Sequence, residues 1–364
     1  MTSQELIGQP VTQLDTPALL VDIDALKANI DLMASFFTDR PCRLRPHFKS
    51  HKCTRIAQMQ MDAGAVGITC AKLGEAEVVA DAGITDILIA NQIVGDTKIG
   101  RLVKLAKRAN PMVAVDCADN VRDLSRAASD AGVTIRVLVE IDLGMSRCGV
   151  APGPTAAGLA WLVSSSPGLS FEGLQGYEGH LVLLPEESER AEKTRAAMKM
   201  LVDTRKLIED SGLPVRIVSG GGTGTYNVTG GIPGVDEVQA GSYALMDWYY
   251  GDIRPEFRQA MSILTTICSR PRPGVAVVDV GVKGVGAEFG PPKLKNVVMY
   301  ELGRFSSEEH TVWLIPDADA ALGDKIEMIP SHGCTTANLY RELIVHRDGI
   351  VIDAWPIEGS GKLK

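Results

Sequence analysis

Four short stretches of this 364-residue chain carry side chains able to do chemistry. "RLRPHFKSHK" (43–52) places Lys49 among Arg43, Arg45 and Lys52 and two histidines, at what reads as the end of a buried strand. Like charge around an ammonium group disfavours its charged form and makes the amine a better nucleophile. "SGGGTGTY" (219–226) offers Ser219, Gly221, Gly222 and Thr223 in a loop whose backbone N–H groups can approach an anion closely. "AGSY" (240–243) adds Gly241, Ser242 and the phenol of Tyr243. The glycine pattern is neither a Walker A loop nor a dinucleotide fingerprint, which favours a phosphate-bearing cofactor or substrate other than ATP or NAD. In "IPSHGCTTANLY" (329–340), His332 and Cys334 stand two residues apart. On a strand, that spacing turns imidazole and thiol to one face, where they can grip one ion. Alone the pair is a weak signal, because buried free cysteine is common.

The elements that must position these groups recur along the chain. Apolar, β-branched runs at 18–23, 42–48, 65–70, 86–91, 112–117, 135–142, 169–177, 215–220 and 237–245 alternate with helical patterns such as "TRIAQMQMDA" and "KLGEAEVVADAG". Apolar strands alternating with helices predict parallel β/α units. Without the first run, eight strands remain, the number that closes a (β/α)8 TIM barrel. Lys49 then ends strand one, on the face where such barrels carry their chemistry. The glycine loop follows strand seven, where phosphate sites commonly lie. A reactive lysine and a phosphate cradle at one barrel mouth suggest pyridoxal 5'-phosphate held as a Schiff base; a cofactor-free class I aldolase is the alternative. Past residue 258 the texture becomes strands and turns with little helix. The predicted domains are a barrel over 14–258 and an antiparallel β domain over 259–364, with 18–23 a candidate strand of the second.

Bulk composition narrows the class. A net charge of −8, with no Lys/Arg run, argues against a nucleic-acid partner. No apolar stretch reaches the roughly 18 to 20 residues that span a bilayer, and the first residues lack the pattern of a secretory signal. Seven scattered cysteines suit reduced thiols, so the expected location is cytoplasmic.

Taken together, "DTPALLVDIDALKANI", "RPHFKSHK", "EIDLGMSRCGV", "SGGGTGTY" and "PSHGCTTANLY" resemble the D-threonine aldolase and D-serine dehydratase family. These are fold-type III pyridoxal phosphate enzymes related to the N-terminal domain of alanine racemase. The resemblance runs from about residue 14 to the end of the chain, in order. It implies that Lys49 is the Schiff-base lysine, that Gly221, Gly222 and Thr223 form the phosphate loop, and that Tyr243 lies on the phosphate side. It further implies Arg147 beside the ring oxygen, Tyr177 near the ring, and His180 in the place of a ring-stacking histidine. His332 and Cys334 fall in the family's divalent-metal motif. Thiolate and imidazole favour Zn²⁺, with Mn²⁺ or Mg²⁺ as harder alternatives.

The resemblance therefore implies a lyase acting on a small D-3-hydroxy amino acid. Dehydration and deamination is the leading expectation, because dehydratase members resemble His-x-Cys; retro-aldol cleavage to glycine and an aldehyde is the alternative, and racemisation ranks below both. It also implies a homodimer. Cys42, Cys53, Cys70, Cys117, Cys148 and Cys268 read as packing, and His310 and His346 as surface. His47, His51, Asp279 and Lys283 receive no assigned role.

Overall fold

The computed structural model describes residues 3–305 and 307–364. Its strands, in chain order, are β1 (Ala18–Asp22), β2 (Arg43–Leu44), β3 (Ile68–Cys70), β4 (Asp86–Gln92), β5 (Asn110–Val115), β6 (Ile135–Ile141), β7 (Leu169–Gly176), β8 (Ile217–Gly220) and β9 (Glu237–Val238). The later strands are β10 (Met261–Ser269), β11 (Val275–Val278), β12 (Lys293–Lys295), β13 (Glu301–Arg304), β14 (Thr311–Leu314), β15 (Lys325–Ile329), β16 (Glu342–Arg347) and β17 (Ile350–Pro356).

Two compact units result, and the chain changes unit more often than the sequence suggests. The first unit takes Leu32–Lys49, Thr54–Gly241 and Lys362–Lys364. The second takes the chain up to Asp31, Ser50–Cys53 and Ser242–Gly361. The change at Ser242 precedes the change of texture at 258, because 242–260 is turn and short helix that packs with strands following it.

In the first unit, β2 to β9 form one parallel sheet in the order β2-β9-β8-β7-β6-β5-β4-β3. Its two ends meet: His47 bridges Thr69 in parallel, and Val66 N–H and Thr69 N–H donate to the Leu44 and Pro46 carbonyls at 3.0 and 2.9 Å. The sheet thus curls until no long edge remains, as the eight predicted strands require. Leu88, Met112 and Leu138 fill one interior layer against Ala90 and Ile217. A polar layer includes Gln92, whose amide donates to Glu140 and Asp116, and Gln239, whose amide donates to Gln175 and Ser219.

Arg45 is the largest buried charge of this unit, 2% exposed. Its guanidinium meets both oxygens of Glu237 at 2.7 and 2.8 Å and Asp86 at 2.8 Å. The expectation that Arg45 acts as a bare positive charge towards Lys49 is therefore corrected, since two carboxylates neutralise it. Burial of Asp86 opposes its ionisation, but Arg45 and Arg136 outweigh that and hold its carboxyl below the usual range.

The second unit is a nine-stranded sheet. Its main path runs β13-β14-β11-β10-β1-β16-β17, with β15 pairing β10 and β12 pairing β15. The expected antiparallel sheet is instead mixed. β1 pairs antiparallel with β10 and parallel with β16, because the N-terminal strand inserts between two C-terminal ones. Leu20, Leu264, Ile344 and Val351 join Leu6, Val11 and Leu14 in its core.

Several local readings change with this sheet. "ELIVHR" forms β16 although its charges suggest a surface turn. His346 is consequently buried, 6% exposed, and neither ring nitrogen has a hydrogen-bond partner, which corrects its assignment to the surface. Cys117 and Cys268 are exposed rather than packed, Cys117 at the N-cap of the helix Ala118–Ala131 and Cys268 where the pairing of β10 with β11 shifts register. His310 is exposed as expected. All seven cysteines are free thiols. Among the described residues, no helix is long and apolar enough to cross a membrane.

Arg45→Ala should lower stability by about 3–5 kcal/mol, because it leaves Glu237 buried without its partner. Urea denaturation at neutral pH measures this. The Asp86 contribution has the opposite sign to a histidine's. A depressed carboxyl pKa stabilises the fold above the ordinary carboxylate range and ceases to do so as pH falls through the folded-state value. The stability gap between wild type and Arg45→Ala should therefore narrow in strong acid.

Candidate active site

Lys49 does not lie on a strand. β2 ends at Leu44, and Lys49 sits in the single 3-10 turn Phe48–Ser50, half-buried, after the His47–Thr69 bridge. His47 accepts from the Lys49 N–H through Nδ1 at 3.5 Å, which shapes this turn. Phe48 is fully buried and anchors it. His51 turns its own Nδ1 to the Cys53 N–H at 3.2 Å.

In the first unit the structure brings three expected residues together. The Lys49 amine lies 6.0 Å from the centroid of the Tyr177 ring, and the Arg147 guanidinium 5.7 Å from the same ring. Tyr177 follows β7, and Arg147 lies in the loop after β6. That loop is set by Asp142, whose carboxylate accepts from Gly144 N–H and Ser146 N–H. His180 is exposed, its imidazole against Gly144 of the same loop.

The glycine loop follows β8 and is folded tightly on itself. Gly221 adopts φ +73°, and a Cβ on Gly224 would lie 1.8 Å from the Val182 carbonyl oxygen, so neither position accepts a side chain. Gly222 packs on the Tyr177 ring, where a Cβ would come within 3.3 Å. Gly221 N–H donates to Glu178 and Gly222 N–H to the Thr225 hydroxyl, both at 3.2 Å. These two N–H groups therefore shape the loop rather than point outward. Ser219 is fully buried and accepts from Gln239 at 2.9 Å, which places its hydroxyl in the interior polar layer.

Glu178 was not foreseen, although it stands between two residues singled out in "GYEGH". It is fully buried, and burial pushes its carboxyl above the usual range against the hydrogen bonds it accepts. An acidic residue between a strand end and a glycine was the available signal.

In the second unit, His332 and Cys334 are neighbours, but not as strand residues. β15 ends at Ile329, His332 is the N-cap of the helix Gly333–Leu339, and Cys334 lies in its first turn. The same-face argument for a strand is thus replaced by a helix start. The Thr336 hydroxyl donates to the His332 carbonyl at 2.8 Å and tightens the turn. Asp247, fully buried, anchors it: one oxygen accepts from Gly333 N–H at 2.9 Å, the other from Tyr250 N–H at 2.8 Å. Burial pushes the Asp247 carboxyl up to about 6 against those two bonds.

Burial opposes charge on His332 as well, but Cys334, Asp247 and Glu288 outweigh it and push the imidazole up to about 9. Its Nδ1 is buried without a hydrogen bond, 3.3 Å from Glu288 Oε1. The thiol of Cys334 lies 3.6 Å from the hydroxyl of Ser50, the residue after Lys49, and 4.0 Å from that of Ser242. Tyr243 is fully buried with its ring 5.8 Å from that of Phe257.

The residues present fit the two groups expected of them. A half-buried amine beside an aromatic ring and a guanidinium, with a compact glycine loop in the same unit, suits a phosphorylated aromatic aldehyde. An acidic environment around an imidazole and a thiol suits a divalent cation, which would replace the charge that a proton supplies. Among the described residues no set of three His, Cys, Asp or Glu side chains is gathered, so water and substrate would complete the coordination.

A barrel with a lysine in the turn that leaves its first strand, joined in one chain to a β-sheet unit that brings an imidazole and a thiol together, defines the class: a fold-type III pyridoxal phosphate enzyme. Residues 21–247 match the model "Alanine racemase, N-terminal domain", and 260–346 match "Putative serine dehydratase domain". The chain is 38% identical to the D-threonine aldolase of Arthrobacter sp, over 97% of this chain and 95% of that protein. It is 30% identical to the D-threo-3-hydroxyaspartate dehydratase of Delftia sp. (strain HT23), over 89% and 92%. The crystal structure of D-threonine aldolase from Filomicrobium marinum matches with a TM-score of 0.95 and 41% identity, over 98% and 99%. The chain belongs to the D-threonine aldolase and D-serine dehydratase family and is a pyridoxal phosphate-dependent lyase.

Asp247→Ala should uncap two helix starts and cost about 1–3 kcal/mol. If His332 and Cys334 hold a divalent ion, it should also weaken that binding, because Gly333 between them loses its anchor. Denaturation and competition with a chromophoric chelator measure the two effects separately.

Proposed function

We propose that this lyase cleaves the Cα–Cβ bond of a D-3-hydroxy amino acid, giving glycine and an aldehyde. The observation that carries this reading is the match along nearly the whole chain, at 38% and 41% identity, to two D-threonine aldolases. A second reading, dehydration to a keto acid and ammonia, is favoured by Cys334, since the residue pair suits a soft ion.

Pyridoxal phosphate on Lys49 would supply an electron-withdrawing ring that stabilises negative charge at Cα. A divalent ion at His332 and Cys334 would supply a Lewis acid for the β-hydroxyl. The chain's own groups divide the remaining work. Tyr177 and Arg147 set the surroundings of the Lys49 amine, and Arg147 would face the ring oxygen. The glycine loop, with Thr223, Gly241, Ser242 and Tyr243, would take the phosphate end, and His180 would stack on the ring.

Lys49 has opposite duties in the two reactions. In cleavage, a base would take the β-hydroxyl proton, the oxygen would form the aldehyde C=O as the Cα–Cβ bond breaks with its electron pair passing to Cα, and Lys49 Nζ in its protonated form would deliver a proton there. In dehydration, Lys49 Nζ removes the Cα proton and hydroxide leaves Cβ.

Incubation with D-threonine and D-threo-3-hydroxyaspartate should yield glycine in step with aldehyde. Pyruvate or another keto acid with ammonia would establish the second reading. Borohydride should fix the cofactor on Lys49, and Lys49→Ala should lose both adduct and turnover; an adduct on another lysine would defeat the assignment. Exhaustive chelation should abolish turnover while leaving the lysine-bound chromophore, with Zn²⁺ restoring activity best. Sedimentation should report a homodimer.

A further inference from the structure

We propose that Glu178 is a positioning residue that moulds the 219–226 loop to take a phosphate group, so that it governs cofactor affinity through the phosphate. The inference rests on the reading that this loop receives the phosphate end of pyridoxal phosphate.

A fully buried carboxylate is costly unless donors meet it. Glu178 Oε1 accepts from the Thr225 and Thr229 hydroxyls at 2.6 and 3.0 Å, and Oε2 accepts from Gly221 N–H at 3.2 Å. Thr225 in turn accepts from Gly222 N–H. Apart from its own backbone N–H, every donor comes from residues 221–229, in the loop and the short helix after it.

The carboxylate thus ties loop and helix together. The residues around it complete the mould. Tyr177 lies against Gly222, the Leu181 N–H closes a turn on the Glu178 carbonyl at 2.8 Å, and the Val182 carbonyl blocks any side chain at position 224. Three successive glycines have too much conformational freedom to hold one shape by themselves. A side chain that fixes Gly221 N–H and both threonine hydroxyls supplies the missing constraint. It does so from beneath the loop, with no part in bond making.

The test compares pyridoxal phosphate with pyridoxal, which lacks the phosphate but forms the same bond to lysine. Absorbance titrations would be run on wild type, Glu178→Ala and Thr229→Val, with circular dichroism as the folding check. For Glu178→Ala, affinity for pyridoxal phosphate should fall by about tenfold or more, since hydrogen bonds to a charged acceptor are lost. Affinity for pyridoxal should stay within about twofold of wild type, because the lysine end is untouched. Thr229→Val should show a smaller loss of the same selectivity. Equal losses for both ligands, or no loss for either, would overturn the proposal. If Glu178→Ala does not fold, Thr229→Val decides by the same comparison. Wild type that binds neither ligand would instead overturn the cofactor reading, and this inference with it.

Discussion

Closure of the parallel sheet is the constraint on which the first unit depends. The segment 43–47 has to hydrogen-bond on both sides, to β9 through Arg43 and Leu44 and to 66–69 through Leu44, Pro46 and His47. Once both sets of bonds form, the chain cannot continue straight, and it leaves the barrel as the tight turn Phe48–Ser50. Lys49 is placed by that exit. Its proximity to Tyr177 and Arg147 then follows, because those residues leave neighbouring strands at the same end of the sheet.

Buried charge is handled differently at the two ends of these strands. Arg45 and its two carboxylates form a salt-bridged layer near the start of β4 and β9, where the pairing holds the Asp86 carboxyl below its usual range. At the opposite end, Glu140 and Glu178 are buried among neutral donors, and burial raises both carboxyls. Charge compensation in the first case stabilises the barrel. The second arrangement ties the loop and the short helix after β8 to the segment that follows β7.

In the second unit a helix start, rather than a strand, brings imidazole and thiol together. Asp247 caps one short helix with one oxygen and receives Gly333 N–H with the other, so two chain segments 86 residues apart share one carboxylate. Phe289 packs on the His332 ring with centroids 4.7 Å apart and limits its rotation. An imidazole and a thiol held from behind in this way keep their relative geometry.

By itself the sequence determined the eight parallel strands, the lysine at a strand exit, the glycine loop after the seventh of them and the His-x-Cys pair, because period, composition and motif spacing are local properties. It also carried the family, since five motifs in order are far more specific than any one of them. Only the tertiary structure decided that β1 inserts between β10 and β16, that "ELIVHR" is a buried strand, and that His346 lies inside. Each depends on which distant segment covers a strand, and no local pattern records that. The same reason hid Glu178 and Asp247. An acidic residue in a polar string looks solvated until the fold shows that Glu178 is met by donors 43 to 51 positions further along the chain, and Asp247 by one 86 positions further along as well as by nearby Tyr250.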